Sequence, residues 1–258
     1  MITSGQNPKV KLVRLLSGRP RDRLESGAFL TEGVRLVEEA DTANWPFRFI
    51  LYSEELSPRA RALVHRLVSK GIESELISDS LLHAISETET SQGILAVLEY
   101  NRLPMPQPLD FIIIPDSIRD PGNLGTLLRT AMAAGVQVVF IPPETTDPFA
   151  PKVVRAGMGA HYQLPIQMMT WEEIQNLCET EKLAAYLADM DGESCWDADF
   201  RKPLALIVGG EAVGASNPAR QLARATVRIP MTGKTESLNA GVAGAVLMFE
   251  VVRQRTKK

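Results

Sequence analysis

The chain has 258 residues, of which 45% are hydrophobic, and a formal net charge of −3. This length fits one large or two small domains, and the charge excludes a chain that is basic throughout, so any nucleic-acid site must rest on local clusters. No apolar run approaches the roughly 20 residues of a membrane span, and the first residues lack the apolar core of a signal peptide. Cys178 and Cys195 fit no metal spacing, so we expect no metal and a reduced, cytoplasmic setting.

The first 23 residues are strongly basic. They contain one acid, Asp22, against six basic residues, which makes six minus one, or +5, in a chain whose total is −3. The six are Lys9, Lys11, Arg14, Arg19, Arg21 and Arg23. A solvated face accounts for such a run as readily as nucleic-acid binding does, and the contrast with the rest of the chain favours RNA binding.

Alternating helix and strand patterns follow, and they predict a small α/β unit over residues 1–100. Helices are predicted at 33–41, 58–70 and 80–86, and strands at 47–52, 73–77 and 93–98. Three prolines within residues 101–109 exclude a regular helix or a central strand there, so this segment is predicted to be a semi-rigid linker. The second domain is then expected to span residues 110–258.

The second domain repeats the alternation. Strands are predicted at 111–114, 137–141, 183–187, 204–208 and 226–229, and helices at 123–134, 151–156, 171–182 and 218–224. Such alternation predicts an α/β domain with a mainly parallel sheet that is covered on both faces. Residues 189–199 are acidic and are predicted to form a loop.

The last helix is predicted to begin at Ser237, whose hydroxyl is a suitable N-cap. Gly241 and Gly244 lie in its first turns, where each glycine costs roughly 1 kcal/mol relative to alanine. The small residues from Ala240 to Ala245 therefore indicate that another backbone or a ligand lies very close to this helix.

Two glycine motifs resemble nucleotide-binding loops, and both fail on physical grounds. In the segment 209–214, GGEAVG, a dinucleotide fingerprint would require glycine where Glu211 stands, and that carboxylate would repel a pyrophosphate. Gly233-Lys234-Thr235 matches the end of a phosphate-binding loop, but the earlier glycine is replaced by Arg228. A nicotinamide-dependent oxidoreductase is therefore disfavoured.

Three ordered motifs carry a family resemblance. DSIRDPGNLGTLLRTAMAAGV (116–136), LALIVGGEAVG (204–214) and IPMTGKTESLNAGVAGAVLMFE (229–250) resemble the SpoU/TrmH branch of the SPOUT RNA methyltransferases. NPKVKLVRLL and FLTEGVRLVEEA, near the N-terminus, resemble the family's RNA-binding domain. The resemblance implies an N-terminal RNA-binding domain of the ribosomal-protein L30e type and a C-terminal methyltransferase domain with a deep trefoil knot. It also implies a homodimer with its sites near the interface.

The resemblance implies S-adenosylmethionine-dependent methylation of a ribose 2′-hydroxyl, with 23S ribosomal RNA favoured by the two-domain layout. The same chemistry on tRNA or at an antibiotic-resistance site of ribosomal RNA remains open, as does a non-catalytic RNA-binding protein that kept the fold. The implied cofactor-binding residues are Gly209, Gly210, Ile229, Met231 and Leu238. The implied catalytic residues are Arg129, Asn123, Glu211, Ser237 and Asn239.

Several of these residues also have a purely structural interpretation. Asn123 could be only an N-cap, and Glu211 could only hold its loop. Arg129 corresponds to the arginine that acts on the ribose hydroxyl in similar enzymes. Because a guanidinium stays charged near neutral pH, stabilising negative charge is a cheaper role for it than acting as a free base. Gly157 stands where similar proteins often have serine, which puts a secondary contact in doubt.

Overall fold

The computed structural model describes residues 1–88, 90–210, 214–233 and 237–256. The helices are α1 (Pro8–Ser17), α2 (Pro20–Ser26), α3 (Val34–Thr42), α4 (Pro58–Ser69), α5 (Asp79–Ile85), α6 (Pro121–Ala133), α7 (Pro151–Gly157), α8 (Trp171–Thr180), α9 (Asn217–Leu222) and α10 (Ala240–Thr256). The strands are β1 (Ala28–Glu32), β2 (Phe47–Tyr52), β3 (Ser74–Leu76), β4 (Ile94–Glu99), β5 (Phe111–Asp116), β6 (Val138–Ile141), β7 (Ile166–Met168), β8 (Ala184–Ser194), β9 (Leu204–Gly209) and β10 (Ala225–Arg228). Within the described ranges, no helix combines the length and apolar character that a membrane crossing requires.

The chain forms two compact units. The first comprises residues 1–101 together with 149–162, and the second comprises 102–148 and 163–258. In the first unit, β1, β4, β2 and β3 form a mixed four-stranded sheet in that order. Apolar side chains of α1, α5 and the sheet, such as Val13, Leu82 and Val97, form its buried core.

Residues 149–162 join the first unit through aromatic packing. The ring of Phe149 lies 5.0 Å from that of Phe29, and the ring of Tyr162 lies 5.5 Å from that of Trp45. The hydroxyls of Tyr162 and Thr31 form a buried hydrogen bond of 2.7 Å. The first unit is therefore built from two separate stretches of chain, one more than the single linker boundary near residue 105 predicts.

The second unit has the parallel sheet that the alternation predicts. Its six strands are in the order β10-β8-β9-β5-β6-β7, and every neighbouring pair is parallel. β5 and β9 are buried along nearly their whole length, as expected for strands covered on both faces. This α/β architecture confirms the predicted fold class, while the trefoil knot stays a prediction.

Two predicted boundaries are wrong. Residues 189–194 continue β8 instead of forming a loop, because Glu193 and Ser194 pair with Val227 and Arg228 of β10. The last helix begins at Ala240 and not at Ser237. The side chain of Asn239 accepts the N–H of Val242 at 3.2 Å, so Asn239 takes the capping position that was predicted for Ser237.

The glycines of α10 allow it to pack closely on α6 of the same chain. A Cβ on Gly244 would lie 2.3 Å from Cδ2 of Leu127, and one on Gly241 would lie 3.2 Å from the Thr126 side chain. The close neighbour that the sequence indicated is therefore α6. This contact sets the N-termini of the two helices side by side.

Candidate active site

The candidate site lies at the carboxyl edge of the parallel sheet, where β5 and β9 end together. Asp116, the last residue of β5, pairs in register with Gly209, the last residue of β9. In open α/β sheets, ligands bind in crevices outside the carboxyl ends of the strands. The loops after these two strands therefore border the candidate crevice.

A hydrogen bond between two asparagines joins the starts of α6 and α10. Nδ2 of Asn239 donates to Oδ1 of Asn123 at 2.8 Å. The side chain of Asp120 caps α6 by accepting the N–H of Asn123 at 2.8 Å, so Asp120 is the N-cap and Asn123 is not. The capping interpretation of Asn123 is therefore wrong, and its side chain is directed to the neighbouring helix.

Gly209 and Gly210 are held close to the backbone of the chain itself. A Cβ on Gly210 would lie 2.3 Å from the carbonyl oxygen of Ser117, and one on Gly209 would lie 2.9 Å from the amide nitrogen of Ala215. Real Cβ atoms do not approach backbone so closely, so both positions require glycine for packing alone. Their contact with a cofactor stays a prediction.

The segment between β10 and α10 contains three predicted cofactor contacts, Ile229, Met231 and Leu238. Ile229 is half-buried, whereas Met231 and Leu238 are each 38% exposed. Two large apolar side chains are thus accessible between the end of β10 and the start of α10. This environment suits apolar contact with the flat face of an aromatic ring.

Arg129 does not join the asparagine pair. It is exposed on α6, and the described residues give it no hydrogen bond or ion pair. Six residues along a helix correspond to about 9 Å of rise and place its side chain about 120° around the axis from Asn123. Within one chain, Arg129 is therefore separated from Asn123 both along α6 and around its axis.

Of the remaining two predicted catalytic residues, Ser237 and Glu211, the structure describes only Ser237. Ser237 is exposed and lies two residues before the capping Asn239. Glu211 lies outside the described residues. Their catalytic roles stay predictions.

Four of the six basic side chains in residues 1–23 are exposed. Lys11, Arg14, Arg19 and Arg21 are exposed on α1 and α2 or between them, and Arg21 also forms a surface ion pair with Glu25. Leu15 and Leu24 are also exposed there, at 45% and 60%.

The other two basic residues of the segment, Lys9 and Arg23, make contacts within the chain. Lys9 forms ion pairs with Glu73 and Glu75. Burial alone lowers the pKa of Lys9, and these two carboxylates outweigh that effect and raise it. Arg23 is 2% exposed and donates to the carbonyl oxygens of Leu16 and Gly18 at 2.7 and 2.9 Å. Arg23 is therefore withdrawn from the predicted RNA-binding set.

Sequence reasoning missed two aspartates at this edge. Asp120 could have been found from the order Asp120-Pro121, because an acceptor followed by proline is a typical helix start. Asp116 ends an apolar strand, and its sequence gives no sign that it is fully buried. Among the described residues, no group of three or more His, Cys, Asp or Glu could hold a metal ion.

The fold is an α/β domain with paired helix starts at the carboxyl edge of a parallel sheet, preceded along the chain by a smaller α/β unit. Residues 110–249 match the model of the SpoU rRNA methylase family, and residues 7–96 match the MRM3-like substrate-binding domain. The chain belongs to the SpoU rRNA methylase family.

Characterised relatives span nearly the whole chain. The 23S rRNA (uridine(2479)-2′-O)-methyltransferase of Streptomyces viridochromogenes is 32% identical, over 98% of this chain and 92% of its own. RlmP of Bacillus subtilis, a 23S rRNA (guanosine(2553)-2′-O)-methyltransferase, is 31% identical, over 97% of this chain and 98% of its own. The solved structure of AviRb from Streptomyces viridochromogenes, a SpoU methyltransferase in complex with the cofactor AdoMet, matches with a TM-score of 0.87 and 31% identity. That match covers 98% of this chain and all of the other.

Proposed function

We propose that this protein transfers a methyl group from S-adenosylmethionine to a ribose 2′-hydroxyl of 23S ribosomal RNA. The observation that carries the proposal is the hydrogen bond of Asn123 with Asn239. It joins the starts of two helices beside the loop that follows β9. The relatives from Streptomyces viridochromogenes and Bacillus subtilis described above are 2′-O-methyltransferases of 23S ribosomal RNA.

The residues at the carboxyl edge fit the proposed cofactor chemically. Met231 and Leu238 offer exposed apolar surface for the adenine ring, and the glycine loop after β9 offers backbone groups. The methyl donor has no phosphate, which agrees with the failure of both phosphate-loop motifs. When bound, S-adenosylmethionine supplies an activated methyl group on a sulfonium, so the chain needs only to position the hydroxyl and manage its proton.

The asparagine pair is suited to orient the ribose. A side-chain amide carries two donors and an acceptor with two lone pairs, so an asparagine can bind a ribose hydroxyl as donor or as acceptor. The starts of α6 and α10 also carry positive partial charge from unpaired N–H groups, which stabilises negative charge developing on the ribose oxygen. We assign Arg129 the role of stabilising that charge.

Because Arg129 does not join the asparagine pair of its own chain, we propose that a second chain brings it to the site. A homodimer provides one, and α10 has a suitable face. Val242 and Phe249 are 47% and 49% exposed, and half-buried Val246 lies between them at helical spacing. This stripe is separate from the glycine face that packs on α6. We propose that it lies in the dimer interface and brings Arg129 to the partner's site.

The N-terminal unit is proposed to bind the RNA. Its exposed cations Lys11, Arg14, Arg19 and Arg21 can contact phosphates, while exposed Leu15 and Leu24 offer apolar surface beside them. The match of residues 7–96 to a substrate-binding domain supports this assignment. A cytoplasmic location is part of the proposal, because the buried cysteines Cys178 and Cys195 are free.

The test is methylation of 23S ribosomal RNA in vitro. The purified protein is incubated with labelled S-adenosylmethionine and ribosomal RNA from cells that lack it, and mass spectrometry then locates the product. One 2′-O-methylated nucleotide in 23S RNA is expected. Methylation of tRNA alone would replace the substrate assignment, and cofactor-independent RNA binding without methylation would indicate a non-catalytic protein.

A further inference from the structure

The buried carboxylate of Asp116 connects the two loops that border the site. Asp116 is 0% exposed. Its Oδ2 accepts the backbone N–H of Ser216 at 2.6 Å, and its Oδ1 accepts the hydroxyl of Ser117 at 3.1 Å. The described residues give it no ion pair. A carboxylate removed from water is costly unless its hydrogen bonds are made, so these two bonds are strongly favoured in the native state.

The bond to Ser216 fixes the far end of the loop after β9. That loop leaves β9 at Gly209 and returns at Gly214, whose N–H donates to the carbonyl oxygen of Gly210 at 3.2 Å. Gly214 has a positive φ of 68° and Ala215 passes directly over Gly209. Asp116 then holds the returning chain at Ser216. Both ends of the loop are thereby anchored beside the end of β5.

The same carboxylate also orders the loop after β5. Ser117 has a positive φ of 56°, a conformation that costs energy in a non-glycine residue. Its hydroxyl bonds to Asp116, and its carbonyl oxygen occupies the space where Gly210 has no side chain. The loop from Ser117 leads directly to Asp120 and Asn123.

We propose that Asp116 is a positioning residue that sets the loop after β9 relative to the start of α6. This inference rests on the proposed function, in which the first element holds the cofactor and the second carries the ribose-orienting Asn123. Asp116 itself touches neither reactant. Loss of its bonds releases the loop, so that binding of the cofactor must order it again, which lowers affinity.

Two variants break the hydrogen bond between Asp116 and Ser216, here called the clamp, by changing one partner each. Asp116→Ala removes both acceptors. Ser216→Pro removes the donor and leaves Asp116 in place; the φ of Ser216 is −67°, which proline adopts. Because proline also removes the hydroxyl that caps α9, Ser216→Ala is the matched control, since it loses the hydroxyl and keeps the N–H. Asp116→Asn is the rescue variant, because its amide can accept from Ser216 and donate to Ser117.

The experiment measures hydrogen–deuterium exchange of peptides covering residues 205–220, together with calorimetric affinity for S-adenosylmethionine. All measurements are made well below each variant's Tm. Asp116→Ala and Ser216→Pro are expected to exchange at least tenfold faster in this segment and to bind the cofactor about tenfold more weakly. Asp116→Asn and Ser216→Ala are expected to keep the segment protected.

Exchange and affinity within twofold of wild type in folded Ser216→Pro would overturn the inference, and this variant decides if Asp116→Ala does not fold. Exchange is measured without RNA or methyl transfer, so the clamp is tested even if the proposed function fails. A wild-type protein that methylates no RNA would refute the proposed function and leave the exchange result standing.

Discussion

Arg129 is proposed to act in the reaction, yet within one chain it does not join the pair formed by Asn123 and Asn239. It is a cation with no partner among the described residues, on a helix whose neighbouring positions Leu127 and Leu128 are fully buried. An exposed arginine at such a position costs the fold little. Its guanidinium is therefore accessible to a bound reactant or to a second chain.

We predict that Arg129→Ala lowers the rate of methyl transfer by two or more orders of magnitude, the range lost when a charge-stabilising donor is removed. Affinity for S-adenosylmethionine should stay nearly unchanged, because the predicted cofactor contacts lie on other segments. Single-turnover kinetics and calorimetry measure the two effects. Arg129→Lys keeps the charge and loses the planar fork, so it tests geometry. A rate within a few-fold of wild type in the alanine variant would exclude Arg129 from the reaction.

At the scale of elements, α1 combines an inner apolar face with an outer basic face. Val10, Val13 and Leu16 are fully buried, while Lys11 and Arg14 lie on the outer side of the same helix. This arrangement leaves the charges accessible without weakening the core.

We predict that replacing Lys11, Arg14 and Arg19 together by alanine weakens RNA binding and reduces its dependence on salt, because fewer counterions are released. Cofactor affinity should not change. Arg61→Ala, on the exposed face of α4, is the control for loss of a surface cation. Filter binding at several salt concentrations measures the effect. Unchanged affinity and salt slope in the triple variant would mean that this face is only solvated.

Helix α10 presents two faces with different neighbours. Its glycine face is buried against α6, and its apolar stripe consists of exposed Val242 and Phe249 with half-buried Val246 between them. The close neighbour that the small residues indicated could have been a second chain in a dimer. The structure directs the glycines to α6 instead, so the case for a dimer now rests on the stripe.

We predict that Val242→Glu with Phe249→Glu converts the dimer to a monomer, because two carboxylates would be buried without partners in the interface. Turnover should fall with it if Arg129 acts on the partner's site. Light scattering at micromolar concentration gives the oligomeric state, and Val68→Glu, an exposed valine of α4, is the control. A wild-type monomer at that concentration would refute the dimer directly.

Periodic patterns were enough to predict most of these elements. The strand over 47–52 agrees with β2 residue for residue, and the helix over 58–70 differs from α4 by one residue. The start of α10 was misplaced because Ser237 and Asn239 are both good caps, and only tertiary contacts choose between them. The clamp at Asp116 joins residues 100 positions apart, which local patterns cannot predict.

At the scale of the whole molecule, the predicted linker is only one of the places where the chain passes between the two units. The chain leaves the first unit after residue 101, returns to it at 149 and leaves again after 162. Sequence patterns placed residues 151–156 in the second domain because local periodicity carries no information about which sheet a helix packs on. The partners of Phe149 and Tyr162 decide it.

Because the first unit is formed by two separate stretches of chain, a cut between them would leave two fragments that share the core of that unit. Suppose that a protease cuts the exposed proline-rich segment near Pro106. The N-terminal fragment would then lack part of its core, and the C-terminal fragment would carry that part as residues 149–162. We predict that the nicked fragments co-elute in size-exclusion chromatography and separate only in denaturant. For the same reason, residues 1–101 expressed alone should unfold at a lower temperature than in the intact chain. Adding the complementary fragment should raise that unfolding temperature again.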